Sequence, residues 1–182
     1  MQVDYCFFTK ERKLGSSVDA MAAVLVAIDT ERGAMETVMC RVKGPGGAYA
    51  CKVLANFCDN LGAATVILQS DQEPAIMAVC EKAKSMRSSA TICRQSPKYS
   101  SQSNGAAENA NKRFEGQLRT LKSAIEEKDD IKVGLESFFL PWLVRFSGWL
   151  LTTFHTQPDG HSAFYRLLGP STGMRSYRSV RR

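Results

Sequence analysis

The chain is poor in the residues that build metal clusters and cross-links. Its two histidines, His155 and His161, and six cysteines with no Cys-x-x-Cys pair offer no zinc-finger spacing. Cys6, Cys40, Cys51, Cys58, Cys80 and Cys93 sit mostly in apolar stretches, and read as small core residues kept reduced in an intracellular compartment. Long hydrophobic runs are also missing. The most apolar stretch, residues 138–154, carries Pro141 and Arg145 and falls short of the ~20 residues that a membrane span requires. No charged-then-apolar leader opens the chain, so the expectation is a soluble protein. No internal repeat is visible.

What is present suits one globular domain. At 182 residues the chain can bury roughly 70% of its unfolded surface, and it needs no disulfide or metal staple. A hydrophobic content of 44% and a charged content of 23% are ordinary for such a domain. The net charge of +6 is unevenly distributed. Lys112, Arg113, Arg119 and Lys122 share one segment, and Arg175, Arg178, Arg181 and Arg182 crowd the last positions. Such clusters suit a polyanionic partner, although solvated faces and tails look the same.

Along the chain, residues 3–8 (VDYCFF), 22–28 (AAVLVAI) and 34–42 (AMETVMCRV) read as strands, the last two joined through Gly33. After GPGG, apolar residues recur at helical spacing over 48–61, and Gly62 is placed to stop the helix. Residues 64–68 (ATVIL) make a fourth strand ending in SDQE; a helix follows over 74–85 and a fifth strand over 89–93. A polar loop, 94–104, precedes a long helix from Gly105 or Ala106 to about Lys128, and a final helix starts near Pro141, a first-turn position, and reaches about His155. This order predicts an α/β fold: a mixed five-stranded sheet flanked by helices.

Three carboxylates stand where such folds gather functional groups: Asp4 on the first strand, Asp71 at the end of the fourth, and Glu108 one turn into the long helix. Singly, an Asp after a strand is a turn residue and a Glu in a first turn complements the helix dipole. Brought together they repel, at ~4 Å by about 1 kcal/mol at solvent dielectric and by ~4 at an effective value of 20. Hard cations relieve that repulsion. Two magnesium ions bridged by carboxylates can drive an in-line phosphodiester displacement, so three acids without histidine or cysteine form a sufficient donor set.

The segment 96–117, SPKYSSQSNGAAENANKRFEGQ, resembles the last catalytic segment of retroviral and retrotransposon integrases. In that family a Ser/Gln/Asn-rich loop ends in glycine and the catalytic Glu follows three positions later, as Gly105 and Glu108 do here. Thirty-six residues separate Asp71 from Glu108, close to the family's usual spacing. VILQSDQEPAI matches the second acid at Asp71 and VDYCFF the first at Asp4. LPWLVRFSGWLL and FHTQPDGHSAFYRLLG resemble the end of copia-type integrases. The resemblance spans nearly the whole chain. It implies an RNase H-like core, Asp4, Asp71 and Glu108 as catalytic and metal-binding residues, two Mg²⁺ or Mn²⁺ ions, DNA as substrate, a homo-oligomer as the active form, and work in the nucleus. Gln72-Glu73 stand where many integrases carry Asn-Gly, which adds a carboxylate beside the site.

On that basis residues 1–130 are expected to form the catalytic core, 131–168 its C-terminal helix and tail, and 169–182 a basic flexible tail. The chain reads as a piece of a longer polyprotein, because no His/Cys zinc module precedes Asp4. Gln102, Ser103 and Asn104 in the loop are candidate contacts to DNA ends. Asn111, Lys112 and Glu115 share the helix face of Glu108, and Asn111 and Lys112 are candidate DNA contacts. Asp29, in AIDTERG, reads as a structural turn residue. Trp142, Phe146, Trp149, Leu150 and Phe154 read as core or subunit contacts rather than a base-stacking platform. Two alternatives remain: a hydrolytic RNase H-like nuclease, and a transposon remnant that only binds nucleic acid or partner subunits.

Overall fold

A computed structural model describes residues 1–9, 21–97 and 104–169. Three antiparallel strands come first, β1 (Gln2–Thr9), β2 (Met21–Ile28) and β3 (Met35–Cys40). The helix α1 (Ala48–Asn60) leads to β4 (Thr65–Ser70), and α2 (Pro74–Met86) leads to β5 (Ala90–Gln95). Then follow α3 (Gly105–Asp129), α4 (Leu140–Phe154) and the short α5 (Ala163–Leu168). The sheet order is β3-β2-β1-β4-β5, with β4 parallel to both β1 and β5. This is the mixed, helix-flanked sheet that the chain order predicts.

The interior strand β2 shows why helices cover both faces. Ala23, Leu25 and Ala27 are buried toward α1 and α2, and Val24, Val26 and Ile28 are buried toward α3 and α4. A strand apolar on both faces must be buried on both. The β2–β3 turn is closed by backbone bonds between Asp29 and Ala34 and between Gly33 and Asp29, both 2.8 Å. The Asp29 carboxylate accepts from the Glu31 backbone and from Arg32, which makes it a turn residue. Gly33 takes φ 83°, a conformation that side chains disfavour.

Helix ends follow their residues. Gly62, at φ 67°, lies just past α1, and Pro74 opens α2, where its missing N–H costs nothing. On α4, Leu140, Leu143 and Val144 are buried against the sheet, and Gly148 lets the helix approach β3 closely. A Cβ there would lie 2.5 Å from Thr37 Oγ1, and that hydroxyl already donates to the Val144 carbonyl at 2.6 Å. The opposite side of α4 carries rings piled along its axis: Phe139, Trp142, Phe146 and Trp149 stack at centroid spacings of 5.0, 4.7 and 5.5 Å. Trp142, Trp149 and Phe154 are half exposed.

All six cysteines are free; five are buried and Cys93 is half-buried, consistent with small core residues. Two details differ from the sequence reading. The third strand ends at Cys40 rather than Val42, because Arg41 and Val42 leave the ladder with β2. A short helix over Ala163–Leu168 appears where none is predicted, capped by the Ser162 hydroxyl accepting from the Tyr165 N–H. Among the described residues no helix is long and apolar enough to cross a membrane.

Candidate active site

Two registers set the geometry. In the parallel ladder of β1 with β4, Gln2 is opposite Gln69. Asp4 and Asp71 each follow that pair by two residues, and Asp71 lies just past the end of β4. Even-numbered residues of β1 face α3, and contacts run along the two elements in step. The Ala107 N–H donates to Gln2 Oε1 at 3.0 Å, Asn111 Nδ2 to Asp4 Oδ2 at 2.9 Å, and the Cys6 thiol to Glu115 Oε1 at 3.0 Å. Each two-residue step on the strand, about 6.6 Å, is matched by a four-residue step on the helix, about 6 Å, so the two run side by side. Glu108, next after Ala107, therefore lies in the first turn of α3 near the Gln2 level of β1, three residues before the Asn111 that binds Asp4.

The electrostatics agree with this layout. The Asp4 carboxyl is held above its ordinary range, first by burial and then by the charges of Asp71 and Glu108. The Tyr5 N–H (2.8 Å to Oδ1) and Asn111 pull the other way. Asp71 Oδ1 accepts the Glu73 N–H at 3.1 Å. Next to Asp4, burial, followed by the bond to Glu115, pushes the Cys6 thiol up, so it stays protonated and donates.

The oxygen-only donors of Asp4, Asp71 and Glu108 have the chemistry of a hard divalent site. Each carboxylate oxygen of Asp4 retains a lone pair beyond its present bond. Among the described residues, no group of three or more His, Cys, Asp and Glu stands close enough to hold a metal ion. Asn111 and Tyr5 hold the Asp4 carboxylate toward α3, and the Glu73 backbone holds Asp71.

The candidate DNA contacts are distributed unevenly. Gln102 and Ser103 lie outside the described residues. Asn104 caps α3 but is buried, and its Oδ1 has no protein partner. Asn111 is half-buried and turned inward to Asp4, with its own Oδ1 unpartnered. Lys112 is exposed, one turn past Glu108. His161 stacks on Tyr165 at 4.3 Å, and burial together with Arg113 keeps His155 below its ordinary pKa. The aromatic faces of α4 are occupied by one another, which leaves ring edges rather than flat platforms at the surface.

Sequence reasoning missed the roles of Gln72 and Glu73. Gln72 Nε2 donates to the Ser96 carbonyl at 3.1 Å and so ties the end of β4 to the exit of β5. Glu73 pairs with Lys43, Nζ to Oε1 2.5 Å. Neither partner could be found by local spacing.

This sheet and its helices define an α/β domain, a mixed five-stranded sheet flanked by helices. No family model and no curated protein matches the chain. Solved structures do. A chain of the simian T-cell lymphotropic virus intasome in complex with PP2A regulatory subunit B56 gamma superposes with TM-score 0.66 at 14% identity, over 98% of this chain and 57% of that one. This chain thus spans just over half of that protein. The catalytic core domain of BIV integrase gives TM-score 0.58 at 14% identity, covering 92% and 93% of the two chains. The HTLV-2 integrase catalytic core, in complex with magnesium and in a trimeric form, gives 0.56 at 12% identity, covering 91% and 93%. The fold is that of retroviral integrase catalytic cores.

Proposed function

We propose that this chain is the catalytic core of a retrotransposon-type integrase, part of a longer polyprotein. It would trim DNA 3′ ends by attack of water and then join the new 3′ hydroxyl to target DNA in the nucleus. The observation that supports this reading is the integrase-core fold, in which the Gln2–Gln69 pair of β1 and β4 precedes Asp4 and Asp71 by two residues each and α3, the helix of Glu108, docks on β1 through Ala107 and Asn111.

Asp4, Asp71 and Glu108 would hold Mg²⁺ or Mn²⁺, two ions in all. The chemistry that bound ions supply is activation of a water or hydroxyl and stabilisation of the leaving oxygen. The rest is done by the chain's own groups. Asn111 Nδ2 and the Tyr5 N–H orient the Asp4 carboxylate, and the Glu73 N–H orients that of Asp71. Lys112 offers a mobile charge to a phosphate beside Glu108, and Gln102 and Ser103 are the loop donors for the DNA end. A second copy of the chain completes the active form; the exposed aromatic edges of α4 support that partner.

Strand transfer measured on a labelled DNA end tests the reading, comparing the parent with Glu108→Gln, each with and without Mn²⁺. The variant keeps the shape and loses a charge, so at least a hundredfold loss, on the order of a key electrostatic group's contribution, is expected in a folded protein. Equal activity in the two proteins would refute the assignment. Inactivity of a well-folded parent would favour the remnant reading.

A further inference from the structure

Lys43 reaches the acids from another part of the chain. It lies three residues beyond β3, with its ammonium 4.4 Å from the Phe7 ring centroid and 5.4 Å from that of Tyr5. The Tyr5 hydroxyl accepts the next residue's N–H, from Gly44, at 3.1 Å. Odd-numbered residues of β1 face away from α3, so Lys43 is docked on the far side of the strand that carries Asp4. Glu73 bridges the two sides: its N–H binds Asp71 and its side chain pairs with Lys43.

We infer that Lys43 is a DNA-phosphate contact at the edge of the acid site and that Glu73 is its displaceable counter-ion. In the free protein the Glu73 carboxylate holds the lysine; a phosphate entering beside Asp71 takes its place. This rests on the DNA-acting reading above. The two side chains are 39% and 33% exposed, so solvent and incoming phosphate both reach the pair. An ion pair this exposed contributes little and exchanges readily. When Glu73 leaves, the Phe7 and Tyr5 rings still hold the ammonium in place without cancelling its charge. The carboxylates of Asp4, Asp71 and Glu108 repel DNA, and a cation beside Glu73, two residues from Asp71, offsets that repulsion where the strand must pass. The same pair acting only as a strut between the segments after β3 and β4 would make no difference to DNA.

Fluorescence anisotropy of an end-labelled duplex, with the whole chain in chelator-containing buffer over a range of salt, separates the two. Glu73→Gln is expected to tighten binding by about two- to fivefold, the scale of losing an exposed counter-ion. Glu73→Asp, which keeps the net charge but shortens the reach, is expected to tighten it as well. Lys43→Gln should weaken binding and flatten the salt slope by about 0.9. In the Lys43→Gln background the gain from Glu73→Gln should fall by more than half. Thermal melts verify that each variant is folded, and Glu73→Asp carries the test if Glu73→Gln is not. Unchanged or weaker binding by the Glu73 variants, or an equal gain with and without Lys43, overturns the inference and leaves the DNA reading standing. A folded parent that binds no DNA overturns both.

Discussion

Asp4 carries the tension of the site. Its carboxyl is half-buried and lies in the field of Asp71 and Glu108, which raises its folded pKa above the ordinary 3.8. The sign of the stability effect follows. The folded state binds this proton more tightly than the unfolded chain, so the contribution is fully present below 3.8 and is lost as pH rises through the folded pKa. Asp4→Asn should therefore melt higher than the parent at pH 7, with the gap closing as pH falls toward 3.8. Each kcal/mol of relieved repulsion would raise Tm by about 2–4 °C in a chain of this size. The geometry allows the change: the new carboxamide can accept from the Tyr5 N–H, and Asn111 can flip to present the Oδ1 that now lacks a partner. A lower melting point for the variant at pH 7 would show that the Asp4 bonds outweigh the repulsion. The three acids could be singled out in the sequence because each sits at a strand end or helix start within a recognisable motif. The inward turn of Asn111 could not, since helical spacing gives the face but not the partner 107 positions away.

At the scale of elements, the four long helices and five strands were legible because each has a clear period or a bounded apolar run. α5 was not. Ser162 and Gly169 mark its ends, but its six residues repeat no apolar face. The close approach of α4 to β3 was equally hidden, because nothing around Gly148 in sequence points to Thr37. That contact gives a direct packing test. Gly148→Ala forces a methyl to within 2.5 Å of a buried, hydrogen-bonded hydroxyl, and should destabilise by about 1–3 kcal/mol, readable in chemical denaturation. A neutral or stabilising result, as helix propensity alone would give, would mean that α4 stands farther from β3 than described. The same rigidity matters at the site. α3 keeps step with β1 through Gln2, Asp4 and Cys6, so Glu108 is placed by a helix that three contacts lock to the strand.

For the whole molecule, the sheet order puts Asp4 on β1 and Asp71 one residue past its parallel neighbour β4, and α3, which carries Glu108, packs along one face of β1. The chain's net charge of +6 suits a polyanion. Gln72 and Glu73 show how the end of β4 is tied down, to Ser96 on one side and to Lys43 on the other. Sequence alone showed them only as a departure from a motif, since both partners come from distant segments. The central claim is that Asp4, Asp71 and Glu108 together hold a divalent cation. The most direct measurement is the thermal midpoint of the parent and of Asp71→Asn as Mn²⁺ is titrated. Binding to the folded state alone stabilises by about 2.7 kcal/mol at a hundred times Kd, so the parent's midpoint should rise steadily by several degrees while that of Asp71→Asn stays nearly flat. A parent midpoint indifferent to Mn²⁺, or an equal rise in the variant, would contradict the account.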